Sequence, residues 1–208
     1  MTQGRSSDTM AITAKNVAEL RARTGAGMMD CKKALEENGG DMDKAAEWLR
    51  AKGILKAEKR AGREAREGRV EFYQHHNGKL GVLVEVNCET DFVARTEDFL
   101  TLCKDLAMHI ASAAPITVSA EQLPPDVVER ERRIYEEQVA AEGKPEAVRV
   151  KIVEGKLKKF YSESCLLDQP FVKDDKQTVG ELVKHLSGKT GENIQVRRFA
   201  RILLGEAE

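Results

Sequence analysis

The chain has 208 residues, of which 33% are charged, 41% apolar and only 5% aromatic, enough for one medium core and a small one. A formal net charge of -1 excludes a global field that would draw it to nucleic acid or an anionic membrane surface. No apolar run approaches the ~20 residues of a membrane span and the N-terminus lacks a signal-peptide core, so a cytoplasmic protein without membrane contact is expected.

In chain order, residues 1–10 are polar and patternless and read as a disordered leader or an upstream start. Thr13 is placed to N-cap a first helix with Val17 and Leu20 on one side, and Gly25 stops it. A second helix begins near Met28-Met29, carries Ala34 and Leu35, and ends at Asn38-Gly39-Gly40. Asp41 caps a third, with Met42, Ala45, Ala46 and Leu49 on one face and Gly53 closing it. Residues 11–54 thus read as a small three-helix domain, and roughly forty residues bury so little that it is only marginally stable. Residues 55–69 read as a basic linker, helical in part and stopped at Gly68. It is a solvated tether first and a surface for an acidic partner second.

The core domain is expected over residues 70–208. Val70 and Phe72 alternate with polar residues up to His75-His76, and Asn77-Gly78 supplies the two φ > 0 residues of a type I′ turn. Leu80, Val82, Val84 and Val86 alternate on the return strand, with Leu83 on the other side. Glu89-Thr90-Asp91-Phe92-Val93 makes a corner into a helix whose stripe is Phe99, Leu102, Cys103, Leu106 and Ile110, ended by Pro115. Residues 121–160 read as an antiparallel helical hairpin broken at Gly143-Lys144-Pro145. Val128, Tyr135 and Val139 form one seam, and Val150, Val153, Leu157 and Phe160 the other. Heavily charged outer positions make it a narrow two-helix arm with wet faces. Thr178-Val179-Gly180-Glu181 is a capping box opening a helix through Val183 and Leu186, stopped by Gly188. Ile194, Val196, Phe199, Ile202 and Leu203 mark a last strand, which joins the hairpin in a small antiparallel sheet covered by helices. The fold class is α+β.

Catalytic chemistry finds little support. The cysteines Cys31, Cys88, Cys103 and Cys165 show no CxxC spacing, and Cys31 and Cys103 fall at apolar helical positions as small hydrophobes. A thiol and base drawn from Cys88 and His75 or His76 lacks an oxyanion hole. No phosphate-binding G-x-x-x-x-G-K-[ST] loop is present, so no catalytic residue, metal or cofactor is expected. What remains are contact surfaces. Two adjacent methionines cannot both face a helix core, so at least one of Met28 and Met29 is exposed and adaptable to a partner. A strand-to-helix corner projects side chains from a rigid scaffold. By its residues alone Phe92 reads equally as a projecting ring or a core aromatic, and Asp91 as a contact or a helix cap.

Two segments, Thr24-Gly25-Ala26-Gly27-Met28-Met29-Asp30-Cys31-Lys32-Lys33-Ala34-Leu35 and Val86-Asn87-Cys88-Glu89-Thr90-Asp91-Phe92-Val93-Ala94, strongly resemble signatures of the elongation factor Ts family. These are bacterial nucleotide exchange factors for the translational GTPase elongation factor Tu. The resemblance continues through Gln169-Pro170-Phe171-Val172 to the last strand and covers nearly the whole chain. It implies a ubiquitin-associated-like N-terminal domain, a core with a projecting coiled-coil arm, and elongation factor Tu as partner. Asp91 and Phe92, flanked by Thr90 and Val93, would be the functional corner, the ring inserting between side chains of the GTPase nucleotide domain. Met28, Met29 and Lys32 would lie against a helix of that domain. His76, counted back from the turn, would sit beside the phosphate loop, with His75 as the alternative, and Gly191 would mark a close backbone approach. The chain looks like the family's short form, a homodimer, at whose contact Cys165 could bridge or pack. Direct nucleic-acid contact is not implied.

A GTPase holds its nucleotide chiefly through phosphate contacts and Mg²⁺. A protein that binds the distorted site better must weaken the nucleotide by the same coupling free energy. Burying one Phe ring contributes roughly 1.5–3 kcal/mol, about one to two decades of affinity, so a second patch is needed for large acceleration. The rival reading is an adaptor or ribosome-associated module whose basic linker and charged hairpin bind RNA or another protein.

Overall fold

Local capping sets the N-terminal helices of the computed structural model, which describes residues 12–141 and 145–206. The expected leader at residues 1–10 and the Gly143-Lys144 break lie outside the described residues. The Thr13 hydroxyl accepts from the Asn16 N–H to open α1 (Ala14–Thr24), and Gly25, at φ 67°, ends it in the left-handed region. α2 (Met28–Glu37) follows, and Asp41 accepts from the Asp43 and Lys44 N–H groups to open α3 (Met42–Glu58). Val17, Leu20, Cys31, Ala34, Leu35, Ala45 and Leu49 bury one another in a core of their own.

Gly53 does not close α3, which runs on to Glu58. Its backbone lies against another helix instead. α8 (Val179–Thr190) crosses α3 there, and a Cβ on Gly188 would lie 2.9 Å from the Gly53 Cα and carbonyl oxygen. The missing side chain of Gly188 lets its backbone touch α3, whereas a Cβ on Gly53 would meet nothing within 4 Å. Arg50–Glu181 at 3.1 Å and Lys184–Glu58 at 2.8 Å flank the crossing. Gly188 likewise fails to stop α8, which continues to Thr190 and is capped by Gly191 at φ 78°. Four of the basic residues over 52–69 pair within the chain, Lys52 and Lys56 with Asp30, Arg63 with Glu89 and Arg69 with Glu71.

Gly68 also belongs to structure rather than to a stop. It lies in β1 (Glu67–Gln74), where its φ of 141° and a would-be Cβ 2.1 Å from the Val86 carbonyl oxygen exclude any side chain. β1 pairs with β2 (Leu80–Cys88), and β2 with β5 (Gln195–Leu203), all antiparallel, in the order β1-β2-β5. The connecting turn is not type I′. Among the turn residues only Gly78 has positive φ, and it donates to the His75 carbonyl at 2.8 Å, closing a loop over residues 75–79. A longer loop needs only one left-handed residue, so Asn77 is not forced to positive φ.

Val82, Val84 and Val86 face α5 (Glu97–Ala113) and bury Phe99, Leu102, Leu106 and Ile110 in the main core. The other sheet face is open, with Val70, Phe72, Leu83 and Ile202 exposed, and Phe72, Leu83 and Ala200 aligned across the strands. α6 (Pro125–Ala140) and α7 (Glu146–Ser164) form the hairpin around Val139, Val153 and Leu157, with Tyr135 and Tyr161 half-buried beside them. Val150 is not in that seam. It is exposed toward the connected end of the hairpin, beside Arg132 and Glu136. β3 (Pro170–Phe171) and β4 (Asp174–Thr178) make a small separate hairpin. No helix of the described residues is long and apolar enough to cross a membrane.

One buried polar residue ties α5 to β3. His109 Nδ1 accepts from the Val172 N–H at 3.2 Å, so Nε2 carries the proton and donates to Gln169 Oε1 at 2.9 Å. Burial lowers its pKa from the ordinary 6.5, against an opposing pull from the Gln169 bond. The unfolded chain therefore takes up this proton first as pH falls. His109 is without penalty above its ordinary value, and stability drains away as pH drops below it toward the folded value. Urea midpoints are expected to fall between about pH 7.5 and about pH 5.5, and His109→Gln to flatten that slope. His185, whose pKa is also lowered by burial, is common to both proteins.

Candidate functional site

The corner after β2 is built by two caps in quick succession. Thr90 Oγ1 accepts from the Val93 N–H at 3.4 Å and opens α4 (Asp91–Ala94); Thr96 Oγ1 accepts from the Phe99 N–H and opens α5. A helix of a single turn must show one side to the core and the rest to solvent. Val93 takes the inner side, 5% exposed and packed with the main core, while Phe92 stands outside at 77% exposure. The balanced reading of Phe92 is thereby resolved: it is a projecting ring. Val93 is corrected in the other direction, because its side chain anchors the turn from below and presents nothing outward. Asp91 is no cap, a role Thr90 performs. Its exposed carboxylate accepts from Arg95 at 2.8 Å, one turn along.

The methionine patch sits at the start of α2. Cys31, Ala34 and Leu35 take the buried side of that helix, which leaves both Met28, at 47%, and Met29, at 77%, in solvent. Lys32 is exposed on the same part of the helix and lies 3.8 Å from Glu36. Between the methionines and Lys32, Asp30 turns back to α3, where Lys52 at 2.9 Å and Lys56 at 3.1 Å bind its carboxylate. These hydrogen bonds hold the Asp30 carboxyl below the usual carboxylate range and pin the first turn of α2.

The two patches are linked through the end of α8. Gly27 and Asp30 form one wall of a crevice whose other wall includes Lys189, Thr190 and Gly191. Lys189 lays its stem against Gly25 and pairs with Asp98 at 2.7 Å. The residue after Gly191, Glu192, bonds directly to Thr90. The start of α2, Gly191 and Thr90 are thus linked through neighbouring residues. Gly191 is required by its left-handed cap, since open space surrounds the position where a Cβ would sit. Sequence reasoning missed Glu192, reading only the glycine before it.

His76 is not brought to this corner. Glu67 pairs with Cys88 at one end of the hairpin and Gln74 with Gly81 at the other, so His76 lies beyond about 25 Å of strand from Thr90. It is exposed, whereas His75 is hydrogen-bonded to the Tyr73 hydroxyl at 3.0 Å. The same separation removes any thiol–imidazole pair with Cys88, whose thiol burial, and then Glu192, push up to about 11. Burial pushes Cys103 to about 12. Cys165 is fully buried beside the Thr117 hydroxyl and has no exposed sulfur with which to bridge two subunits. Among the described residues no three His, Cys, Asp or Glu side chains gather as a metal site.

Comparison with known proteins gives a consistent result. Residues 10–206 match the family model described as Elongation factor TS. The chain is 57% identical over 196 residues to the elongation factor Ts of Solidesulfovibrio magneticus, covering 94% of this chain and 98% of that protein. It is 55% identical over 199 residues to that of Nitratidesulfovibrio vulgaris, covering 96% and 100%. With that of Fervidobacterium nodosum it shares 55% identity over 197 residues, covering 95% and 100%.

Proposed function

The chain belongs to the elongation factor Ts family, and from that premise we propose that it is a guanine nucleotide exchange factor for elongation factor Tu in cytoplasmic translation elongation. It performs no covalent chemistry. The observation that carries this reading is the ring of Phe92, held outside its own core on a turn that Val93 and two threonine caps fix from beneath. A ring carried on a turn that is fixed before binding leaves little backbone to order when a partner closes over it.

Phe92 inserts into the nucleotide domain of the GTPase, and Asp91 makes the polar contact beside it. The insertion displaces Mg²⁺ and the phosphate contacts, so that GDP leaves. Rebinding of GTP with its metal then expels the factor by the same coupling. Met28, Met29 and Lys32, carried by a ubiquitin-associated-like module over residues 11–54, grip a helix of the same domain, and Gly191 admits its backbone closely. The factor acts as a homodimer. A second copy covers the open sheet face of Val70, Phe72, Leu83 and Ile202, since large contiguous apolar patches on soluble proteins mark association surfaces. It also presents a further core surface, and with it a second His76, to the GTPase.

The test is release of labelled GDP from elongation factor Tu with and without the chain. Marked acceleration is expected, and an unchanged rate would overturn the reading. Light scattering is expected to give twice the chain mass, with or without reductant because Cys165 is buried. A monomer mass at micromolar concentration would remove the dimer.

A further inference from the structure

Glu192 makes three of the bonds that hold the Thr90-Asp91-Phe92 corner. Its Oε2 accepts the backbone N–H of Glu89 at 3.1 Å and of Thr90 at 3.0 Å, and its Oε1 accepts the Thr90 hydroxyl at 2.6 Å. A threonine hydroxyl has one proton to give. Because that proton goes to Glu192, a lone pair of Oγ1 is left facing the Val93 N–H, and this bond sets where α4 begins. The carboxylate therefore holds the Thr90 side chain in its capping position, and so supports the direction in which the next two side chains leave the chain. Hydrogen bonds to an ionised group are also the stronger kind.

The contact is reciprocal. Glu89 Oε1 accepts the Asn193 N–H at 2.6 Å and lies 3.6 Å from Arg63. Asn193 Nδ2 in turn donates to the carbonyls of Arg63 at 2.7 Å and Ala61 at 3.3 Å. The loop after α8 is thus clamped to the corner on one side and to the segment following α3 on the other.

From this geometry we infer that Glu192 is a positioning residue for Phe92, an inference that rests on the exchange reading above. It acts by holding the ring in the direction of insertion. A displacement of about 1 Å in a group that must dock at a reacting centre can lower a rate by up to about a hundredfold.

A double-mutant cycle on stimulated GDP release from elongation factor Tu tests the inference, because residues that act as one unit are non-additive. Glu192→Ala is expected to lower the maximal stimulated rate about tenfold, moving the half-saturating concentration less because the methionine patch is intact. Glu192→Gln should recover most of the rate, since its carboxamide oxygen still accepts the two N–H groups. In a Phe92→Ala background the alanine change should cost less than about twofold. In parallel, the Glu89 and Thr90 amide protons should exchange faster in Glu192→Ala. An equal loss with and without the ring would mean that Glu192 acts independently of Phe92, and no loss would mean that it positions nothing; either overturns the inference. The two readings fail separately. If Phe92→Ala retains full stimulation, the exchange mechanism is wrong; if Phe92→Ala is impaired and Glu192→Ala is not, only the positioning role falls. Should Glu192→Ala not fold, Glu192→Asp, whose shorter side chain cannot span the same gap, must show the loss in the same cycle.

Discussion

Phe92→Ala is expected to lower stimulated release of GDP from elongation factor Tu by roughly ten- to a hundredfold, with no shift in the thermal unfolding of the chain itself. The range follows from the roughly 1.5–3 kcal/mol gained when a partner buries one aromatic ring, at about 1.4 kcal/mol per decade. The absence of a stability effect follows from the ring's exposure, since a side chain already in solvent loses no burial when truncated. Stopped-flow release of labelled GDP gives the first quantity and calorimetry the second. Stimulation equal to the parent's would dismiss the ring as the inserting group.

Phe99→Ala, one α-helical cap further along, should produce the opposite signature. Phe99 is fully buried in the main core, where it sits on α5 against the sheet. Truncation there removes apolar contact and leaves a cavity that the close-packed surroundings only partly fill, costing about 3–5 kcal/mol. In a chain of this size about 2–4 °C is lost per kcal/mol, so the melting temperature should drop by roughly 6–20 °C. At temperatures where the variant remains folded, exchange activity should fall far less than in Phe92→Ala. A variant melting within a degree or two of the parent would contradict the assignment of Phe99 to the core.

What the sequence made legible was local chemistry. Thr13, Asp41 and Thr178 announce helix starts because a cap and the N–H groups that donate to it lie within three residues, and each cap is present. Alternation along β2 placed Val82, Val84 and Val86 on one face and Leu83 on the other for the same reason. The recurrent error is at glycines. Gly53, Gly68 and Gly188 read as stops, because a glycine that ends an element and one that lies within it, as Gly68 and Gly188 do against another backbone, look alike in one dimension. Asn77-Gly78 suggested a tight turn, yet one left-handed residue sufficed for the longer loop. At the site, whether Phe92 faced in or out was undecidable, since a helix of one turn has no periodicity to read. Glu192 was invisible because its bond to Thr90 spans 102 residues, and no local pattern encodes such a distance.

The Gly53–Gly188 crossing has a consequence for how the factor measures its partner. The methionine pair rides on the helices at one side of that crossing and the aromatic ring is tied to the other side through the loop after α8. With main chain resting on main chain, the crossing itself is set by van der Waals contact, while the ion pairs beside it and the Glu192 carboxylate complete the span between the two grips. Added salt should therefore act on those charged ties and leave the backbone contact unaltered. A bulkier residue at Gly188 would have to force the two backbones apart, and so shift one foothold relative to the other.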